Sequence, residues 1–132
     1  MSATILIIED NPANLALVQY LLMKAGHQTH SAMDGEAGVR AAAQTRPDLI
    51  ICDLQLPGLN GYEVLARLRS DPTTSRTPVI AVTAFSMPSD QEQVMTAGFD
   101  SYLSKPIEPE TFVAQIERHL APALRGAQRG GS

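Results

Sequence analysis

Short apolar runs that stop at polar residues predict five β-strands along the chain. The clearest run covers residues 49–52, shows no polar alternation and ends at Asp53. Such a run is typical of a strand buried on both faces of a parallel sheet. Similar runs predict strands at residues 4–8, 79–82 and 101–104, whereas the more polar residues 28–32 suit an edge strand.

Apolar residues at helical spacing predict a helix after each strand. Asn11 and Pro12 provide an N-cap and a first helical residue, and Gly26 suits the left-handed position just beyond a helix that ends near Ala25. The other predicted helices cover residues 34–46 and 61–70, a segment from Pro88 to Gly98, and a last segment that opens at Glu108-Pro109. The predicted inward-facing residues are Leu15, Val18, Leu22, Ala25, Val64, Leu65, Leu68, Phe112, Val113, Ile116 and Leu120.

This alternation of strands and helices predicts an α/β fold with a doubly wound five-stranded parallel sheet and five helices. The right-handed crossover rule favours the flavodoxin-like strand order 2-1-3-4-5. With 132 residues, the chain has room for one domain, which we assign to residues 1–124. Residues 125–132 lack an apolar pattern and are predicted to be a disordered tail.

Composition limits the classes of binding partner and indicates the cellular compartment. The net charge of −4 argues against a general affinity for nucleic acid or an anionic membrane, and favours proteins or small ions as partners. The single cysteine, Cys52, lies inside the predicted buried strand, which suits a reducing compartment. The sequence contains no secretory signal and no run long enough to span a bilayer, so we expect a cytoplasmic protein.

Polar residues follow four of the predicted strands at the point where each strand ends. Glu9 and Asp10 follow the first strand, Asp53 the third, Thr83 the fourth and Lys105 the fifth. The carboxyl ends of parallel strands meet at one edge of a sheet, which is where open α/β sheets bind ligands. We therefore expect these five side chains to form one site.

The expected cluster suits phosphoryl chemistry. Three close carboxylates repel one another unless a divalent cation is present, and magnesium prefers carboxylates, water and phosphate oxygens. An aspartate can also act as a nucleophile toward phosphorus, and Asp53 is the predicted acceptor. Lys105 and the Thr83 hydroxyl would then contact the remaining phosphoryl oxygens.

The ordered set of motifs resembles the CheY-like receiver domain of bacterial two-component response regulators. The resemblance runs from Ala3 to about Leu120, and its motifs are Glu9-Asp10, Asp53, Leu56-Pro57-Gly58, Gly61, Thr83-Ala84 and Lys105-Pro106. It implies phosphotransfer to Asp53 from a histidine kinase or a histidine phosphotransfer protein. It also implies a magnesium ion held by Asp10, Asp53 and the backbone carbonyl of Gln55 with help from Glu9, and a switch through Thr83, Ala84 and Tyr102.

The resemblance further implies how such a domain signals. A phosphorylated receiver without an output domain acts by binding a protein partner, here at the face formed by helix 4, strand 5 and helix 5. The opening Glu-Asp-Asn-Pro-Ala-Asn also resembles receivers of hybrid histidine kinases, so an excised receiver is an alternative to a stand-alone regulator. Gln55 and Phe85 are not fixed by the family pattern and are expected to flank the phosphoryl group and set its lifetime.

Two enzymatic or cofactor-binding alternatives stay open. A phosphohydrolase with an aspartate nucleophile would need a second acid two residues later, where this chain has Gln55. A flavin-binding protein would place an anionic cofactor at an acidic edge. We therefore expect a signalling module and not a turnover enzyme.

Other conspicuous residues are predicted to have ordinary structural roles. The three histidines have no metal-binding spacing and are expected at the surface, the methionines are expected to serve in packing, and two arginines are expected on a solvated helix face. These residues are His27, His30 and His119, then Met33, Met87 and Met95, and finally Arg67 and Arg69.

Overall fold

A computed structural model describes residues 2–84 and 87–121 of the chain. Its five strands form one parallel sheet in the order β2-β1-β3-β4-β5, so the predicted fold class and strand order are confirmed. The strands are β1 (Thr4–Ile8), β2 (Gln28–Ala32), β3 (Leu49–Asp53), β4 (Val79–Thr83) and β5 (Ser101–Ser104). The helices are α1 (Pro12–Lys24), α2 (Gly35–Thr45), α3 (Gly61–Ser70), α4 (Pro88–Ala97) and α5 (Pro109–Glu117).

The sheet is covered on both faces, which explains the unbroken apolar runs of the central strands. All five residues of β3 and all five of β4 are buried. Alternate strand residues point to two separate core clusters. One cluster joins Leu6, Ile8, Ile50 and Cys52 to residues of α3 and α4, and the other joins Ile5, Ile7, Leu49 and Ile51 to residues of α1 and α5.

Helix ends follow the local chemistry of the sequence. The Asn11 side chain accepts a hydrogen bond from the Asn14 N–H at 3.0 Å and caps α1, as predicted. Gly26 has φ +96°, the left-handed conformation predicted for the residue after that helix. Asp34 lies outside α2 because its side chain accepts from the Ala37 N–H at 2.8 Å and forms the cap.

The structure corrects two of the predicted structural roles. His27 is buried, not at the surface, because both of its ring nitrogens have hydrogen-bond partners inside the protein. Arg69 is only partly exposed and is not free in solvent: its guanidinium donates to the Thr77 carbonyl at 2.7 Å and lies 3.0 Å from the Asp100 carboxylate. Spacing along the chain could not indicate these contacts, because most of the partners lie in other elements. The predictions for His30 and Arg67 are confirmed, since both residues are exposed.

The predicted packing role of the methionines is also wrong for the three that were named. Met33, Met87 and Met95 keep 47%, 64% and 47% of their surface exposed. Met33 follows the edge strand β2, and Met87 precedes α4.

Across residues 2–84 and 87–121, no helix is both long enough and apolar enough to cross a bilayer. The tail predicted at residues 125–132 lies outside the described residues, and so does Phe85, which is predicted to set the lifetime of the phosphoryl group.

Candidate functional site

The carboxyl ends of the four strands that carry the predicted site residues lie side by side. The parallel register pairs Asp53 with Val82 across β3 and β4, and Thr83 with Ser104 across β4 and β5. The Lys105 N–H donates to the Thr83 carbonyl at 2.8 Å, which continues the pairing one residue beyond β5. The predicted residues therefore converge at one edge of the sheet.

Asp53 is the most constrained side chain of this edge. It is the last residue of β3 and is only 4% exposed. One carboxylate oxygen, Oδ1, accepts from the Gln55 N–H at 3.0 Å, and the other, Oδ2, accepts from Lys105 Nζ at 2.7 Å. Two charge-assisted hydrogen bonds from different elements fix the orientation of this carboxylate.

The loop after Asp53 can pass so close to the strand end because α3 begins with a glycine. A Cβ atom at Gly61 would lie 2.7 Å from the Asp53 carbonyl oxygen and 2.7 Å from Leu54 Cα. The Gly61 N–H donates to the Leu54 carbonyl at 2.9 Å, so the loop closes on the residue next to the acid. A larger residue at position 61 would push α3 away from the site.

Glu9 lies beside Asp53 and shares its lysine. Its Oε2 accepts from the Asn11 N–H at 3.1 Å, and its Oε1 lies 3.3 Å from Lys105 Nζ. Burial raises the pKa of the Glu9 carboxyl and the nearby Asp53 charge raises it further, against the lowering by the Asn11 N–H and by Lys105. An additional positive charge nearby would therefore stabilise the ionised form of Glu9.

Burial and charge compete at Lys105. Partial burial lowers the pKa of its ammonium, but the hydrogen bond and attraction to Asp53 and the attraction to Glu9 outweigh that effect, and the net pKa is raised. The side chain keeps 21% of its surface exposed, so its charge is screened in part by solvent. Lys105 is a firmly protonated cation between two acids.

The acidic residues form a group that could hold a metal ion. One carboxylate oxygen each from Glu9, Asp10 and Asp53 lie within 4.8 Å of one another. Asp10 is exposed while the other two are buried, so the group opens to solvent on one side. All-oxygen ligands with room for water are the environment that magnesium prefers.

Cys52 adjoins the acids but is chemically quiet. Burial raises the pKa of its thiol, and the charges of Asp53 and Glu9 raise it further, so the thiol stays protonated. Its Sγ lies 3.3 Å from the Asp53 carbonyl oxygen, to which it donates.

The predicted switch residues differ in how deeply they are buried. Thr83 is buried at the end of β4, and Ala84 after it is exposed. Tyr102 is partly buried on β5, opposite Ala81, and packs against the core cluster on the α3 and α4 side. Gln55 is exposed and contributes its backbone N–H to the Asp53 carboxylate.

Two hydrogen-bond donors to the acids of the site were not predicted, because the predictions considered side chains alone. They are the backbone N–H groups of Asn11 and Gln55, which donate to Glu9 and Asp53. Each lies two residues after the acid that it binds, a spacing at which carboxylates commonly accept from the backbone. That spacing was the available sequence signal for both contacts.

Comparison with known proteins agrees with this geometry. The family model for the response regulator receiver domain matches residues 5–117. The polar-differentiation response regulator DivK of Brucella anthropi is 38% identical over 123 residues, which cover 93% of this chain and 100% of DivK. The chain is thus similar over nearly its full length to a response regulator.

Solved structures give the same result. The receiver domain of sensor histidine kinase PA1611 from Pseudomonas aeruginosa, solved with a magnesium ion in its active-site cleft, is 33% identical with a TM-score of 0.81. The alignment covers 89% of this chain and 97% of that domain. The chemotaxis response regulator CheY4 of Vibrio cholerae is 28% identical with a TM-score of 0.86, over 91% of this chain and 100% of CheY4. With its fold, its acidic edge and a family match that spans most of its length, this chain belongs to the response regulator receiver domain family.

Proposed function

We propose that this receiver domain accepts a phosphoryl group on Asp53 in a magnesium-dependent reaction and passes the signal to a protein partner. The observation that carries the proposal is the setting of the Asp53 carboxylate. It is buried at a strand end, with Lys105 at 2.7 Å and with Glu9 and Asp10 as neighbouring potential metal ligands. An oriented nucleophile beside a fixed cation is what phosphoryl transfer requires from a protein.

In the transfer step, an Asp53 carboxylate oxygen attacks the phosphorus atom of a phosphohistidine. A new O–P bond forms and the P–N bond breaks, and its electron pair returns to the imidazole of the donor. The product is an aspartyl phosphate on this chain and a free histidine on the donor. The donor is a histidine kinase or a histidine phosphotransfer protein.

Glu9, Asp10 and Asp53, with the backbone carbonyl of Gln55, are the proposed magnesium ligands. The raised pKa of Glu9 supports this assignment, because a buried acid beside another acid is stabilised when a cation arrives. Bound magnesium would supply positive charge to the carboxylates and to the incoming phosphoryl oxygens.

Lys105 and Thr83 would contact the phosphoryl group from its other side. The Lys105 ammonium is within hydrogen-bond distance of Asp53 already, and Thr83 ends the strand between Asp53 and Lys105. Gln55 and Phe85 would flank the group, and bulky, apolar Phe85 would shield it from water. We propose that these two residues set the lifetime of the aspartyl phosphate.

The proposed output is protein binding at the face of α4, β5 and α5, and not catalytic turnover. No acid occupies the position two residues after Asp53, where a phosphohydrolase would need one, because that residue is Gln55. The net charge of −4 favours protein partners over nucleic acid or membrane surfaces. The buried free thiol of Cys52 suits a cytoplasmic protein.

Intact-mass spectrometry tests the acceptor. Incubation with acetyl phosphate and magnesium should add one phosphoryl group to the wild-type chain, as acetate leaves with the electron pair of the broken P–O bond. Asp53→Asn should show no adduct. Asp34→Asn is a matched control, because it makes the same chemical change away from the site and keeps the cap of α2.

The outcomes separate the assignments. An adduct that persists in Asp53→Asn would move the acceptor to another residue, with Asp10 the first to be tested. An adduct that forms equally well in EDTA would remove the role of magnesium. Equal decay rates of the adduct in wild type and Phe85→Ala would remove the lifetime role of Phe85.

A further inference from the structure

The first turn of α2 lies in direct contact with the loop that follows the candidate phosphorylation site. Gly35 is the first residue of α2 and is buried. A Cβ atom added to Gly35 would lie 2.5 Å from the Leu59 carbonyl oxygen, 2.7 Å from Leu59 Cβ and 3.0 Å from Val64 Cγ2. An added carbon would overlap with the backbone at such distances, so α2 can lie this close to the β3–α3 loop only because residue 35 has no side chain.

The β3–α3 loop that contains Leu59 is closed by a hydrogen bond between its ends. The Gly61 N–H donates to the Leu54 carbonyl at 2.9 Å. Because this bond joins the start of the loop to the start of α3, a displacement of Leu59 has to be absorbed by the residues between them. These residues include Gln55, whose N–H donates to the Asp53 carboxylate at 3.0 Å. The position of Leu59 therefore affects the geometry next to the acceptor.

The other side of the same helical turn is connected to Glu9. The Asp34 carboxylate accepts from the Ala37 N–H at 2.8 Å and caps α2. Asp34 follows two residues after Ala32, whose carbonyl accepts from the Glu9 N–H at 3.0 Å. A movement of α2 away from Leu59 would therefore pull on the segment that is hydrogen-bonded to Glu9.

We propose that Gly35 is a positioning residue for the phosphorylation site. Its missing side chain lets the first turn of α2 lie between the segment bonded to Glu9 and the loop that carries Gln55, and so sets the separation of these two magnesium ligands. The inference rests on the proposed function, because it concerns the magnesium ion of that site. Gly35 touches neither the ion nor the phosphoryl group, and acts through Leu59 and Ala32.

Gly38, one turn later in α2, provides a matched control. A Cβ atom added there would lie 2.5 Å from Ile8 Cδ1 and 2.9 Å from both Ile8 Cγ1 and Ile8 Cγ2, which are side-chain atoms in the core. Alanine at position 38 would therefore disturb core packing without meeting the backbone of the β3–α3 loop. Both substitutions, Gly35→Ala and Gly38→Ala, add the same methyl group to a buried glycine of the same helix.

Magnesium titrations followed by amide NMR test the proposal on the folded proteins. Gly35→Ala should raise the dissociation constant of magnesium about tenfold or more, the usual effect of losing a group that orients metal ligands. Gly38→Ala should keep a dissociation constant close to that of the wild type, even if melting curves in EDTA show that both variants are less stable. Equal dissociation constants in the wild type and Gly35→Ala, or equal weakening in both variants, would overturn the proposal.

A second measurement does not involve magnesium. In EDTA, the amide proton of Gln55 should shift in Gly35→Ala relative to the wild type, because its hydrogen bond to Asp53 changes, and it should stay in place in Gly38→Ala. An unshifted Gln55 amide in Gly35→Ala would overturn the positioning role. If the wild type bound no magnesium, the proposed metal site would be wrong, and this measurement would still decide whether Gly35 positions the loop.

The wild-type chain provides a third test, which can be carried out even if Gly35→Ala does not fold. When magnesium binds, the amides of Gly35 and Leu59 should shift with the same midpoint as the amide of Gln55, because the contact between α2 and the loop transmits the change. The amide of Gly26, which would have no atom within 4 Å of an added Cβ, should not shift. Unshifted Gly35 and Leu59 amides in a chain that binds magnesium would contradict the proposed contact.

Discussion

Lys105 and Asp53, 52 positions apart in the sequence, form a hydrogen-bonded ion pair at 2.7 Å across the carboxyl edge of the sheet. The same ammonium lies 3.3 Å from Glu9, so one cation serves two acids. The pair connects the end of β5 to the end of β3 across the intervening strand β4. Any cation or phosphoryl group that enters this edge must compete with or rearrange an existing charge network.

Removal of this lysine should destabilise the magnesium-free protein. Lys105→Met leaves two buried acids without their cation, and we expect a loss of about 1–3 kcal/mol in the free energy of unfolding at pH 7, reduced from the fully buried case by partial exposure. The raised pKa of Lys105 means that its contribution persists below the ordinary lysine value of 10.5 and is lost only as the pH rises above it. Urea unfolding in EDTA measures the difference.

Lys24→Met provides the matched control, because these are the two lysines of the chain and Lys24 is exposed on α1. It should change the free energy of unfolding by no more than about 0.5 kcal/mol. Equal effects of the two substitutions would contradict a special role for the ion pair of Lys105 with Asp53.

Magnesium should stabilise the protein in a pH-dependent way that involves Glu9. The raised folded-state pKa of Glu9 means that its contribution to stability is fully present below its ordinary value of 4.5 and is lost as the pH rises through the raised value. Magnesium needs the ionised form, so the magnesium-induced rise in melting temperature should be larger near neutral pH than near about pH 5. Differential scanning fluorimetry with magnesium or EDTA at each pH measures both effects.

Two variants separate the parts of this prediction. Glu9→Gln should flatten the pH dependence of the magnesium-free protein, and Asp10→Asn should reduce the magnesium-induced shift at every pH. If millimolar magnesium left the melting curve of the wild type unchanged, the prediction of a metal site would be wrong.

The sequence was sufficient to predict the convergence of the site but not its internal contacts. Asp53 and Lys105 could be placed at one edge because each follows a strand and parallel strands end together, a property of topology and not of side-chain detail. The contact of the Asp53 Oδ1 with the Gln55 N–H depends on the path of the loop. That path is set in turn by the close approach of Gly61 to the Asp53 carbonyl.

The mistaken predictions share a physical origin. His27 and Arg69 are polar residues near chain turns, and composition alone favours the surface for both. His27 is buried in contact with Glu117, which lies 90 positions away in the sequence, and the Arg69 guanidinium is held by Asp100, which lies 31 positions away. Long-range polar pairs leave no periodic pattern in the sequence, so a single sequence does not reveal them.

Arg69 should contribute to stability through its several backbone contacts. Its Nη1 donates to the Thr77 carbonyl at 2.7 Å and its Nη2 lies 3.0 Å from Asp100, whose carboxylate also accepts from the Val79 N–H at 2.8 Å. These contacts join the α3–β4 loop to the starts of β4 and β5. Because lysine lacks the planar fork, Arg69→Lys should cost about 1–2 kcal/mol in urea unfolding.

A second arginine on the same helix provides a matched control for Arg69→Lys. Arg67 is exposed on α3, so Arg67→Lys should change the free energy of unfolding by less than about 0.5 kcal/mol. If Arg69→Lys lowered the free energy of unfolding no more than Arg67→Lys does, the contacts of Arg69 would not contribute to stability.

The last prediction concerns how phosphorylation reaches the face of α4, β5 and α5. A phosphoryl group on Asp53 offers the Thr83 hydroxyl a charge-assisted hydrogen bond, and movement of Thr83 toward it would open space beside Ala84. Tyr102 lies two residues before Ser104, the register partner of Thr83, and could turn into that space. The phosphoryl group can shift this equilibrium only by its stronger contact with one of the two states.

Solution NMR with and without beryllofluoride, a non-covalent phosphoryl mimic, tests this switch. Amide shifts in the wild type should spread from Asp53 through Thr83 to Tyr102 and α4. In Thr83→Ala, shifts should stay near Asp53 and Lys105, because the hydroxyl that links the site to β5 is gone. Changes confined to Asp10, Asp53 and Lys105 in the wild type would contradict the switch, since the mimic would then be bound without any response at Tyr102.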